Sequence, residues 1–369
     1  MANSLVTVDQ LARDASLLMT DRLRVARACS TRTESLFANK VGDSVKIQIP
    51  PVFTGQSQGA SVSVTAEDMT QGSETVTIEK HFTVAVNITS KERTMKLDDF
   101  NRNVTVPAVN RLKDLVDSYL LLKCHGLQLW SGTGGTAPST VAHIVAARKL
   151  LQDAKLSGDY MGVISTTTEA SLLQLAQFQS RDYAGDTAAV DGMLGKRFGI
   201  DWLVTPNTSG FTRGDVAGTV LVNNASTAIG NTTLPVDAFT NATGTVYAGT
   251  HFTVAGDTTV YVVTADATKA SNAATLSIYP PLQVAVANDA LVTFKAAATD
   301  DFVLVRGALA AAIIAPAPLA VGSAIANVDG MGVRVTSGTS TANLSDTIVF
   351  DVMCGATAAH RYAGGIWQA

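Results

Sequence analysis

The sequence predicts an α+β fold with an all-β domain inserted into it, and three observations carry that reading. Helical and two-residue periodicities alternate along the chain. One long, cleanly bounded helix lies near residues 107–125. Residues 216–300 then change texture: five Asp (237, 257, 266, 289, 300), two Lys (269, 295), and no Glu or Arg. With 369 residues, at roughly 150 per domain, the chain has room for two or three domains.

The first element is a helix. Thr7 and Gln10 form a capping box, and Val8, Leu11, Ala15, Leu18 and Val25 recur at helical spacing to about Ala28. Arg22, Arg24, Arg27 and Arg32 gather at its end, where cations suit the helix dipole; contact with a polyanion or an acidic partner is the alternative. From Ser44 the period becomes two. Val45, Ile47 and Ile49 alternate up to Pro50-Pro51, and alternation resumes at Val76, Ile78, Phe82, Val84, Val86 and Ile88. Between them lie ~20 residues rich in Gly, Ser, Thr and Gln, with Glu67 and Asp68 near the middle, too long for an idle loop. Residues 45–90 therefore read as a long β-hairpin that reaches away from its own domain toward a partner surface.

Next comes the clearest helix. Pro107 sits in its first turn and Gly126 just past its end. Val109, Leu112, Val116, Tyr119 and Leu120 form one stripe along its ~19 residues, about 28 Å of length. After a loop at Ser131–Ser139, the pattern gives a helix from Val141 to Leu156 and a strand at Met161–Ile164. A helix capped by Thr166 and Glu169 follows, running through Leu172, Leu173 and Leu175, then a strand at Ile200–Val204. Residues 217–297 offer short β runs at Val246-Tyr247, His251–Ala255, Val260–Thr264, Thr275–Tyr279 and Leu282–Val286, spaced as in a small antiparallel barrel. Phe302–Val305, Leu309–Ile314, Met331–Val335 and Thr347–Met353 close the chain as strands.

Composition narrows the function. Charged residues make up 16%, against ~25% in an average globular chain. In their place stand 53 Ala, 44 Thr and 29 Gly, and mean hydropathy is +0.21. Such a chain has little free surface to keep wet, as in a subunit buried among copies of itself. A net charge of −4 denies it the basic footprint of a sequence-reading nucleic-acid binder. The N-terminus lacks the basic and apolar regions of a signal peptide. No uncharged apolar run reaches ~18 residues; Pro316 and Pro318 interrupt the nearest, Gly307–Val321. Cys29, Cys124 and Cys354 are odd in number and far apart, so neither a metal pair nor a disulfide framework is expected, and a reducing cytoplasm is.

The search for a reaction ends empty. None of His81, His125, His143, His251 and His360 pairs with another His or Cys at metal-ligand spacing. His143 reads as a structural helix residue, and His125 as part of a helix end. The run Gly132-Thr133-Gly134-Gly135 is followed by no Gly-Lys-Ser/Thr, and no Gly-x-Ser-x-Gly elbow occurs. No catalytic residue, cofactor or metal is expected.

The order of these elements resembles the major capsid proteins of tailed bacteriophages, the Hong Kong 97-type fold. The most telling piece is the insertion. Gly249-Thr250-His251-Phe252-Thr253-Val254-Ala255-Gly256, Val260–Asp266 and Ala274–Pro281 are similar to successive barrel strands in coat proteins of the Salmonella short-tailed phage type. The closing runs Val333-Arg334-Val335 and Asp351–Gly355 resemble the last strands of that group. The resemblance implies a helical N-terminal arm (1–44), an extended loop (45–90) and a peripheral domain with its spine helix (91–130 and 326–369). It further implies an axial domain (131–216 and 298–325) and the inserted barrel (217–297). It implies self-assembly through pentamers and hexamers into an icosahedral virion shell, in the bacterial host cytoplasm. A scaffolding protein, a portal and a decoration protein are the implied partners, with no membrane. Double-stranded DNA is held without sequence specificity. Glu67 and Asp68, with Arg22, Arg24 and Arg27, are the candidate inter-subunit contacts, a merely solvated loop tip being the alternative for the two acids. A tail-tube or adhesin subunit is the competing structural reading.

Overall fold

The computed structural model describes residues 8–23, 25–29, 43–49, 72–89, 104–179, 194–207, 211–224, 226–296, 301–319, 322–328, 331–340 and 345–368. Its helices, in chain order, are α1 (Val8–Arg22), α2 (Val106–Cys124), α3 (Val141–Asp153), α4 (Thr166–Leu173) and α5 (Ala176–Gln179).

α2 is the helix the apolar stripe predicts. Val109, Leu112, Val116, Tyr119 and Leu120 are all buried, and proline occupies the first turn, where its missing N–H costs nothing. The helix lies against a five-stranded sheet ordered Ser323–Val328, Met331–Ser340, Ala310–Ile314, Ser345–Thr357, Lys80–Thr89. The last two strands run antiparallel from Ser345↔Thr89 to Cys354↔Lys80, so Ile348, Phe350 and Val352 turn one face inward beneath α2. α1 packs across the strands at 323–328 and 331–340 through Leu11, Ala12, Ala15 and Met19. The Ser16 hydroxyl donates to the Met331 carbonyl at 3.0 Å. The expected N-terminal arm is thus, over residues 8–22, part of its own core. It ends at Arg22, and a separate 3-10 turn covers Val25–Ala28; Thr7 of the expected capping box lies outside the described residues.

A second, six-stranded sheet is ordered Leu129–Ser131, Gly364–Trp367, Asp301–Val305, Tyr160–Ile164, Ile200–Val204, Lys196–Arg197. Its parallel pair, Tyr160–Ile164 with Ile200–Val204, is joined through the helices between them. α3 and α4 press Ile144, Ala147, Leu151 and Leu172 onto Ile164, Trp202, Val303 and Trp367. Two expectations shift here. α3 stops at Asp153 rather than Leu156, because Lys155 takes a left-handed backbone (φ 56). α4 is capped by Ser165, whose hydroxyl accepts from the Thr168 N–H at 3.3 Å; Thr166 is already helical and cannot cap.

The sheets divide the C-terminal half differently from the sequence boundaries. Asp301–Val305 belongs to the six-stranded sheet, but after the Gly307 turn (φ 90) Ala310–Ile314 belongs to the five-stranded one. Likewise Ser345–Thr357 serves the latter, and Gly364–Trp367 returns to the former. Segments 298–325 and 326–369 therefore each contribute to both sheets.

The strands from Gly218 to Phe294 form the third body. Its sheet is ordered Val292–Phe294, His251–Val254, Tyr261–Val263, Ala274–Tyr279, Thr233–Phe239, Gly218–Val222. The edges meet: the Val222 N–H donates to the Ala290 carbonyl at 3.0 Å and the Asp289 N–H to the Val222 carbonyl at 2.9 Å, leaving a nearly closed barrel. Phe239, Phe252, Tyr261 and Leu276 fill it. The expected strand at Leu282–Val286 is not formed. Pro280 and Pro281 have no N–H to give a ladder, so the strand ends at Tyr279 and only Val286–Ala287 pairs again, with Ser226–Thr227.

Candidate functional site: assembly elements and the barrel junction

The hairpin has the ladder its alternation predicts. Ser44–Ile49 pairs antiparallel with Gly72–Thr77, from Ser44↔Thr77 to Ile49↔Gly72. Val45 and Val76 are buried against Ala310, Ala312 and Ala359, whereas Ile47 and Ile49 on the same face are only half-buried. Cover for the apolar face thus runs out as the hairpin leaves its own core. Glu67, Asp68 and the rest of residues 50–71 lie outside the described residues, as does Arg24. Arg22 ends α1, and Arg27 is exposed on the 3-10 turn between buried Ala26 and Ala28.

Periodicity does not reveal what fixes the hairpin's base. The Arg361 Nε donates to Glu74 Oε1 at 3.2 Å. Lys123 Nζ and the Tyr119 hydroxyl donate to Glu79 Oε2 at 2.8 and 3.2 Å. Gly355 completes the clamp: a Cβ there would stand 2.2 Å from the Thr77 carbonyl oxygen. Glu74 within the returning strand and Glu79 just beyond it are the sequence trace of this anchoring.

The second assembly of polar side chains lies where the barrel meets α2. His125 caps the C-terminus of α2 and is buried, its ring stacked on Phe211 (4.3 Å between centroids) and edge-on to Phe302 (5.0 Å). Buried His251 opens a barrel strand; its Nε2 donates to the Leu127 carbonyl at 2.7 Å, and its ring lies 5.4 Å from Trp130. The Gln128 amide donates to the Val260 carbonyl at 3.4 Å. Burial, reinforced by His251, pushes His125 down to about 3. Burial likewise lowers His251 to about 4, partly opposed by the Leu127 and Gly249 carbonyls. Both imidazoles are neutral at pH 7.

The remaining chemistry is structural. His143 Nδ1 accepts from the Ser139 N–H at 3.2 Å, at the start of α3. The three thiols are buried and unpaired with one another; burial raises each, Cys29 to about 12, which makes them unreactive. Among the described residues, no group of three or more His, Cys, Asp or Glu is placed to hold a metal ion, and no helix is long and apolar enough to cross a membrane.

No protein-family model matches the chain, and no curated protein matches its sequence. Among solved structures, a chain of Mycobacterium phage Che8 is similar over 93% of this chain and 89% of its own length, with 12% identity and a TM-score of 0.52. The capsid structure of cyanophage P-SCSP1u aligns over 89% of this chain and 84% of its own, with 14% identity and a TM-score of 0.45. At such identities the likeness is one of fold. For the Che8 chain it extends over nearly the whole molecule.

Proposed function

We propose that this chain is the major capsid protein of a tailed bacteriophage, with the Hong Kong 97-type fold and the inserted barrel of the Salmonella short-tailed phage coat-protein type. Copies assemble through pentamers and hexamers into an icosahedral shell that encloses double-stranded DNA. The observation that carries this reading is the fold likeness to a phage chain along 93% of the sequence. Two features support it: a hairpin whose apolar face, among the described residues, is fully buried only at Val45 and Val76, and a chain with few charges. Both suit a subunit that finishes its burial against neighbours.

In this reading residues 45–90 overlie an adjacent subunit, and Glu67 and Asp68 meet its basic groups, with Arg22, Arg24 and Arg27 as further contacts. Each exposed pair contributes about 0.2–1 kcal/mol, multiplied by the symmetry of the shell. The acidic barrel, with five Asp against two Lys, faces outward, away from DNA. Scaffolding, portal and decoration proteins are the partners, in the host cytoplasm and then in the virion. No Lys lies between Lys46 and Lys80, so the outer stretch of the hairpin offers no amine for a covalent link and the shell is held non-covalently. Negative-stain electron microscopy and sedimentation of the expressed chain test the reading. Closed shells or curved sheets of rings are expected, and heating them in detergent releases monomers; rods or a stable trimer contradict it.

A further inference from the structure

We propose that His125 and His251 form an acid-sensitive latch, which holds the barrel on the end of α2 while both rings are neutral and releases it when they are protonated. This inference does not depend on the capsid reading.

The two imidazoles sit in the contact between barrel and core. Gly249 comes so close that a Cβ on it would lie 2.8 Å from the His125 Cβ, so the barrel turn rests directly on that residue. Beside the contact lies a cleft of about 500 Å³, walled by Leu122 and Gly126 on one side, Tyr247 and Val263 on the other, and Ala358 and Arg361 below. The barrel closes its own sheet and fills its own core, so neither depends on its contact with the core, which also includes Ala296 against Gly134 and Tyr279 beside Tyr362 and Arg361. The cleft leaves space into which it can tilt.

Charged groups stand on both sides of the rings. On the barrel side they are Lys295, whose N–H donates to the His251 carbonyl, and Arg213, which donates to the Lys295 carbonyl. On the core side are Lys123, in the last turn of α2, and Arg361, whose Nη1 lies 3.5 Å from the Gly126 carbonyl. Asp266, across the cleft, is engaged by the Ala248 N–H at 2.8 Å. Lys123 and Arg361 are already paired with Glu79 and Glu74, so the repulsion comes from Lys295 on His251 and from His251 on His125, and it adds to desolvation.

The sign follows from linkage. Both rings bind protons less readily when docked than when exposed, so docking is fully stable above the ordinary histidine value, ~6.5, and weakens as pH falls toward about 4 and then about 3. Going from pH 7.5 to pH 5 shifts the balance toward release by roughly 30-fold for each ring and about a thousandfold for both.

Hydrogen exchange of the full chain, read by mass spectrometry at pH 7.5 and pH 5 and corrected for intrinsic rates, tests the latch. Protection of residues 125–131 and 249–263 is expected to fall at least tenfold at pH 5, while residues 109–120 and 274–279 keep theirs. The double variant His125→Phe, His251→Gln keeps a stacking ring and an amide donor, and in it the pH dependence should vanish. Unchanged protection in the natural chain, or a loss that the variant retains, overturns the proposal. If the double variant does not fold, NMR titration of the natural chain decides: an imidazole at either position that titrates near 6.5 without loss of protection overturns it equally.

Discussion

The barrel draws its core from residues 216–294 alone, whereas the core beneath α2 gathers side chains from Leu11 to Ile366. Both are tightly filled, but they are closed by different kinds of contact. Barrel strands pair with strands a few tens of residues away, so little loop entropy separates the chain from its first ladder. The larger core needs α1, α2, the strand at 80–89 and the strands of the last 60 residues together. The barrel's contacts are local, so its core can close without the long-range contacts that the larger core requires.

The comparison predicts two separable thermal transitions, and core truncations test it most severely. Trp367→Ala removes a buried ring that lies 5.1 Å from the Trp202 ring, and with it the Trp367 indole N–H that donates to the His143 carbonyl at 2.9 Å. Phe252→Ala empties the centre of the barrel. Each should cost about 3–5 kcal/mol, with calorimetry showing Trp367→Ala lowering only the core transition and Phe252→Ala only the barrel's. If both variants shift one common transition, the two bodies are not independent. Gly355→Ala forces a methyl onto the Thr77 carbonyl oxygen and should destabilise the core transition alone by about 3 kcal/mol, seen as a lower denaturant midpoint.

A pH effect sharpens the contrast further. Burial pushes Asp301 up to about 6, opposed by the Thr168 hydroxyl and the Ser165 N–H that bond to it. A carboxyl with a raised folded-state pKa stabilises the fold below ~3.8 and loses that contribution as pH rises through about 6, on the order of 2 kcal/mol. Comparing the natural chain with Asp301→Asn between pH 4 and pH 7 should show this slope in the core transition only. Smallest is Glu74→Gln at the hairpin clamp, expected to change core stability by only about 0.2–1 kcal/mol because the pair is partly exposed.

Much of the fold was legible where a single element carries its own pattern. α2 appears with its full stripe, and the Val45, Ile47, Ile49 alternation gives the hairpin's base. Strands that look interrupted were not legible. Thr233–Phe239 contains Pro235, yet its carbonyl still accepts from the Asn223 N–H, so one missing donor does not break the ladder. Gly364–Trp367 looks like a turn because of Gly364-Gly365. In the sheet, a Cβ on Gly365 would sit 1.9 Å from the Leu129 carbonyl oxygen, and only glycine lets the strands pass. The clamp Glu74–Arg361 and the meeting of His125 with His251 join residues 287 and 126 positions apart, and no local period encodes such partners.

The most direct test of the assembly role is electron microscopy of the natural chain beside one in which residues 50–71 are replaced by Asn-Gly. The paired ends Ile49↔Gly72 allow such a two-residue turn. The account predicts closed shells from the natural chain, and from the shortened one only soluble subunits whose two thermal transitions are unchanged. Shells of equal yield from the shortened chain, or rods from the natural one, would contradict it.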